Sequence, residues 1–167
     1  MASNGLEIEH KFLIVCPKRS WLEAHAKPSR IVQTYLCGRP GETERVRLRE
    51  DEKGTVYTHT IKQRLSGITR REDEEEIDLA EYEALLKRKD PKRETVYKQR
   101  WVLEQGGLCF EIDIYPFWQD RAIMEVELER EDQPVDLPCG IEILEDVSRD
   151  PSYTNSALAR RLANGEI

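Results

Sequence analysis

The feature that most constrains this chain is a charge repeat with a step of two. Glu7, Glu9 and Lys11 alternate with Ile8 and His10; Arg45, Arg47 and Arg49 alternate with Val46 and Leu48; Glu125, Glu127 and Glu129 alternate with Val126 and Leu128. Lys98 and Arg100 flank Gln99, Glu111 and Asp113 flank Ile112, and Glu72, Glu74 and Glu76 keep the same step. Residues two apart share a face of a strand and of no other regular structure. Such a chain folds as a sheet with one apolar face and one charged face.

Eight segments carry the pattern: 6–14, 30–38, 44–50, 54–65, 72–78, 95–104, 107–115 and 122–130. Turn-forming stretches separate many of them, including CGRPGE at 37–42, EDEKG at 50–54, LSG at 65–67 and EQGG at 104–107, so hairpins and antiparallel pairing are expected. Helical patterns are fewer: 18–26, 79–88 and 155–163, the last ending near Asn164-Gly165. The expected class is α+β, dominated by the sheet. At 167 residues one domain covering 1–167 is expected.

A charged face on one strand usually means an ordinary half-buried sheet with its outer side in water. Taken together, the segments argue otherwise. Each charged strand is nearly pure in sign, and like charges on neighbouring positions are unfavourable unless opposite charge lies between them. Closing the sheet turns the charged faces inward, into a lumen that holds side chains and one small ligand. Arginines and lysines there would clamp a multiply charged anion, and carboxylates would bind a divalent cation bridging to it. A polyphosphate with Mg²⁺ or Mn²⁺ satisfies both.

Composition narrows the partners. Formal net charge is −7, which disfavours general attraction to nucleic acid. The basic run KRKDPKR at 87–93 carries no interleaved aromatics and reads as a solvated helix end. No apolar run reaches membrane-span length and no signal sequence is evident, so a cytoplasmic protein without nucleic-acid or membrane partners is expected. Cys16, Cys37, Cys109 and Cys139 lack metal-site spacing and read as reduced thiols; His10, His25 and His59 are isolated.

The ExExK run at Glu7, Glu9 and Lys11, followed in order by QTYL, VRLR, TIK, KQR, EID and EVELE, resembles the CYTH superfamily, the triphosphate tunnel metalloenzymes, and its bacterial inorganic-triphosphatase branch. DVSRDPSYTNSALA at 146–159 resembles the family's tail, with Asp146 and Ser148 where Glu and Thr are usual and Ser152 where a basic residue is common. The resemblance implies a closed eight-stranded antiparallel β-barrel with flanking helices that hydrolyses or rearranges triphosphates with a divalent cation. It implies metal ligation by Glu7, Glu9, Asp113, Glu125 and Glu127, and a phosphate clamp of Lys11, Arg45, Arg47, Lys62, Lys98 and Arg100. Glu74 and Glu76 match a middle acidic strand, in a run that leaves the register open by a step of two. Lys11 and Tyr35, in Gln33-Thr34-Tyr35-Leu36, match a catalytic lysine–tyrosine pair.

The expected activity is hydrolysis of inorganic triphosphate to pyrophosphate and phosphate. Nucleoside or thiamine triphosphate hydrolysis, adenylate cyclisation and noncatalytic polyphosphate binding are the alternatives. Trp21, Trp101 and Trp118 offer no convincing base or thiazole platform, which favours the bare inorganic substrate. A monomer or a homodimer is expected.

Overall fold

The computed structural model describes residues 5–167. Each segment with the two-residue charge repeat is a strand: β1 (Leu6–Val15), β2 (Lys27–Tyr35), β3 (Glu42–Asp51), β4 (Gly54–Ser66), β5 (Thr69–Ile77), β6 (Val96–Gln105), β7 (Leu108–Ile114) and β8 (Arg121–Glu127). Their spatial order is β5-β4-β3-β2-β6-β7-β8-β1, every pairing is antiparallel, and β1 returns to pair with β5. The sheet is therefore a closed eight-stranded barrel.

Turn chemistry sets the local register. Gly106 and Gly107 join β6 to β7 with φ of 59° and 77°, the two left-handed residues a tight two-residue hairpin demands. A ninth strand, β9 (Ile143–Asp146), lies along the upper part of β1, whose lower part is taken by β5. It is absent from the sequence-based expectation because ILED is four residues long and carries no alternation to read.

The apolar alternates face outward and are covered in two patches. Phe12, Ile14, Trp101, Phe110, Ile112, Met124 and Val126 pack against Leu22 of α1 (Arg19–His25) and against Val135, Ile141 and Ile143 of the segment leading into β9. Val46 and Ile77 pack against Tyr82 of α2 (Leu79–Leu86), whose N-cap Asp78 accepts from Glu81 N at 2.8 Å. Trp101 thus lies in the core, as its parity with Arg100 requires.

A third apolar cluster lies across the barrel. Leu13, Tyr35, Val96, Tyr115 and Ile123 from the strands meet Val147, Leu158 and Ala159, the last two from α3 (Asn155–Ala163). Leu13 and Ile123, paired across β1 and β8, each lie two residues from the in-pointing Lys11 and Glu125, so this cluster continues the inward face beyond the charged rows. α3 with its apolar partners forms a plug at one end of the bore.

Candidate active site

Between the plug and the open mouth lies a cavity of about 400 Å³ whose wall is two-signed. Glu7, Glu9, Lys11, Tyr35, Arg45, Arg47, Lys62, Glu74, Arg100, Glu125 and Glu127 all line it, so the inward faces of seven strands contribute. Arg49, Glu72 and Glu111, each in one of the alternating rows, line it too.

The acidic wall is made of like charges set opposite one another. Glu9 is the cross-strand partner of Glu127, and Glu125 is the partner of Glu111. Directly opposed like charges destabilise a sheet, so the arrangement persists in a closed barrel only where opposite charge is supplied. Part of that charge comes from the chain: Lys11 Nζ lies 3.4 Å from Glu125 Oε1 and 3.9 Å from Glu9 Oε1, and Lys62 Nζ donates to Glu7 Oε2 at 2.7 Å. The balance is incomplete at Glu9, whose carboxyl is pushed from 4.5 to about 7 by burial and by the Glu125 charge. Glu125 goes the other way, to about 2: burial acts to raise it, and the charges of Lys11, Arg100 and Lys98 together more than offset that.

The basic wall is frustrated in the opposite sense. Arg45 Nη2 is 3.7 Å from Glu72 and Arg47 Nη2 is 3.6 Å from Glu74, loose pairings that leave both Nε atoms buried without a hydrogen-bond partner. Burial and the charges of Arg45 and Arg100 lower the Arg47 guanidinium to about 10. A buried guanidinium with an unused donor costs free energy unless an anion completes it.

Two residues expected in the site stand behind its wall. Asp113 is fully buried; its Oδ1 accepts from Arg100 Nε and its Oδ2 from Lys98 Nζ, both at 2.7 Å, with Arg100 Nη2 on Oδ2 at 2.8 Å. Against the cost of burial, these cations hold Asp113 far below the usual carboxylate range. Asp113 therefore orients Arg100, whose Nη1 reaches Glu111 at 2.6 Å. Lys98 is likewise buried, and desolvation lowers it to about 8 despite Asp113. Neither side chain reaches the cavity, and the acidic place there on β7 is taken by Glu111.

The step of two left open in the β5 run resolves to Glu72 and Glu74, which line the cavity; Glu76 opposes Thr58 and is exposed. Tyr35 Oη is bonded to Gln33 Nε2 at 2.6 Å, while Lys11 Nζ donates to Tyr153 O at 3.5 Å. The two candidate catalytic side chains share the cavity without sharing a hydrogen bond. Sequence reasoning did not find the segment that forms the cavity floor, Ser148–Ser156. Only its position in the family-like tail and the N-cap at Thr154 signalled it.

The donor set fits a hard divalent cation. Glu7, Glu9, Glu111, Glu125 and Glu127 offer only carboxylate oxygens, the ligands that suit Mg²⁺ and Mn²⁺, and their mutual repulsion is the charge such an ion relieves. Among the described residues no three acidic, His or Cys side chains already converge on one point. Mg²⁺ is commonly held by one or two carboxylates plus substrate phosphates, which this wall can supply without a prebuilt cage.

Known proteins agree with this geometry. No family model matches the chain, and no curated protein matches it. Among solved structures, the inorganic triphosphatase NE1496 is 28% identical over 92% of this chain and 94% of its own, with a TM-score of 0.57. The chain fits the CYTH superfamily. Two further solved structures share the fold. PH1012 from Pyrococcus horikoshii is 22% identical over 75% of this chain and 80% of its own, TM-score 0.55. HpAC1 from Hippeastrum, an adenylyl cyclase-type protein with a dominant triphosphatase activity, is 19% identical over 74% and 80%, TM-score 0.50. The closed barrel is thus the fold these structures share, here with a ninth strand and three α-helices among the described residues.

Proposed function

We propose that this chain hydrolyses inorganic triphosphate to pyrophosphate and phosphate with Mg²⁺ or Mn²⁺. The observation that carries the reading is the double frustration of the cavity: opposed carboxylates on one wall, guanidiniums with unused donors on the other. A polyanion together with a divalent cation relieves both. Triphosphatase activity in the NE1496 neighbour supports the same reaction class.

Arg45, Arg47, Lys62 and Arg100 bind the phosphate oxygens and spread the charge that develops on the transferred phosphoryl group, with Asp113 and Lys98 bracing Arg100 from behind. Glu7, Glu9, Glu125 and Glu127 would hold the cation, which when bound neutralises phosphate charge and orders water. The water oxygen bonds to the terminal phosphorus, the bridging P–O bond breaks, pyrophosphate leaves, and the water proton goes to Lys11 Nζ acting as the neutral amine, its ammonium proton having first been given up to solvent. Tyr35, fixed by Gln33, shapes the wall beside it.

Substrate choice follows from the lining. Tyr35 is the one aromatic side chain on the cavity wall among the described residues, and it is 2% exposed, so a base or thiazole ring has no platform to stack on. Bare triphosphate suits the cavity better than an organic triphosphate. The test is phosphate release from tripolyphosphate, ATP, thiamine triphosphate and pyrophosphate with each metal; tripolyphosphate is expected to be turned over fastest. Cyclic AMP from ATP as the main product overturns the reading. Lys11→Ala should lower kcat by about 10²-fold or more, and full turnover in that variant removes Lys11 as the proton acceptor.

A further inference from the structure

The basic run at 87–93 is only partly the solvated helix end that its composition suggests. Lys87, Arg88, Lys89 and Lys92 are exposed, whereas the Asp90 and Arg93 side chains are 13% and 14% exposed. Asp90-Pro91-Lys92-Arg93 is a β-turn with the residues such a turn favours, Asp first and Pro second: Arg93 N donates to Asp90 O at 3.2 Å, and Lys92 N to Asp90 Oδ1 at 2.9 Å. The turn sets Arg93 Nε 3.0 Å from Asp90 Oδ2.

Both ends of the turn are fastened to residues of the apolar plug. Asp90 N donates to Tyr35 O at 2.9 Å, and Glu94 N donates to Ala159 O of α3 at 2.9 Å. Held there, the Arg93 guanidinium lies over the Tyr35 ring with its Cζ 5.3 Å from the centroid, within cation–π range. Its Nε and Nη1 are buried without a well-directed hydrogen bond among the described residues. An arginine on a surface turn escapes that cost by swinging into water; this one is held by the Asp90 charge and the ring face.

Tyr35 is the residue this device serves. It is buried, it lines the cavity, and its hydroxyl accepts from Gln33 Nε2 at 2.6 Å. Gln33 fixes the tip of the side chain, Asp90 the backbone carbonyl and Arg93 the ring face. Arg93 lies behind the ring and outside the cavity lining, so it has no contact with a bound substrate.

We propose that Arg93, braced by Asp90, is a positioning residue that holds the Tyr35 ring so that its hydroxyl meets the phosphate chain during transfer. The inference rests on the triphosphatase reading and adds to it a residue pair outside the cavity. Misplacing a contacting group by about 1 Å can cost as much as about 10²-fold in rate, so loosening the ring slows the chemical step. Substrate binding stays with Arg45, Arg47, Lys62 and Arg100.

The test is a double-mutant cycle on tripolyphosphate with Mg²⁺, combining Tyr35→Phe with Arg93→Met and, separately, with Arg93→Lys, whose retained charge and stem protect the fold. In the wild-type background Arg93→Met is expected to lower kcat about tenfold with KM changed less than about twofold, and Arg93→Lys to lower kcat about threefold. In the Tyr35→Phe background, which has no hydroxyl to place, neither should lower kcat by more than about 1.5-fold. Equal losses in the two backgrounds, or a change confined to KM, make Arg93 a structural or long-range electrostatic residue and overturn the proposal. Wild-type kcat in Tyr35→Phe overturns it too. If Arg93→Met does not fold, the Arg93→Lys arm decides alone. If the wild-type protein releases phosphate from no triphosphate, the triphosphatase reading fails and this inference with it; wild-type turnover with an additive cycle sinks the inference alone.

Discussion

At the scale of single residues, position on a strand and chemical task are separate matters. Glu111 and Asp113 are two apart on β7 and share a face, yet Glu111 meets the cavity while Asp113 is sealed beneath it by Lys98 and Arg100. The two-residue step identifies which side chains point inward and says nothing about depth. Depth depends on where the plug ends, which is fixed by residues on α3 more than forty positions away. Removing one partner of a buried pair strands the others, so Asp113→Asn should be costly in two ways. It should destabilise the fold by about 3 kcal/mol, measured by urea unfolding, and lower kcat/KM for triphosphate by loosening Arg100. A variant with wild-type stability and turnover would show that Asp113 braces nothing.

At the scale of elements, α3 is both a lid on the apolar end and a side of the reaction chamber. Leu158 is fully buried among Leu13, Tyr35, Val96 and Ile123, and Leu158→Ala should cost about 2–5 kcal/mol in calorimetric or denaturant unfolding. An unchanged unfolding midpoint would contradict the plug. The eight barrel strands and all three helices were legible in the sequence because alternation, turn residues and helix caps are local signals. β9 and the Ser148–Ser156 floor were not, since their positions come from contacts such as Lys11 N to Ser148 Oγ, 137 residues apart, that no short window contains. The inward rows were readable in the same way, whereas the choice of Glu72 over Glu76 needed the pairing of β5 with β4 and β1.

At the scale of the whole molecule, the barrel holds two unbalanced charge layers, and its stability should vary with pH accordingly. Glu9 is raised from 4.5 to about 7, so the folded state binds this proton more tightly than the unfolded chain does. Its contribution is complete below pH 4.5 and is lost as pH rises towards 7; that of Glu125, lowered to about 2, is complete above 4.5 and is lost as pH falls towards 2. In metal-free buffer, the wild-type thermal midpoint should therefore fall relative to Glu9→Gln between pH 4.5 and 7. Added Mg²⁺ should reduce that difference near neutral pH, because a ligating carboxylate must be ionised. Parallel midpoint curves for the two proteins would mean that Glu9 carries no excess charge.

The seam that closes the cylinder is short: β1 joins β5 through Leu6, Glu7 and Ile8 opposite Arg71, Arg70 and Thr69, whereas seven residue pairs join β1 to β8. A staved vessel gives first at its narrowest weld, and here that weld includes Glu7, the first acidic residue of the wall. Parting it would widen the mouth and pull a carboxylate aside while leaving the stopper at the far end in place.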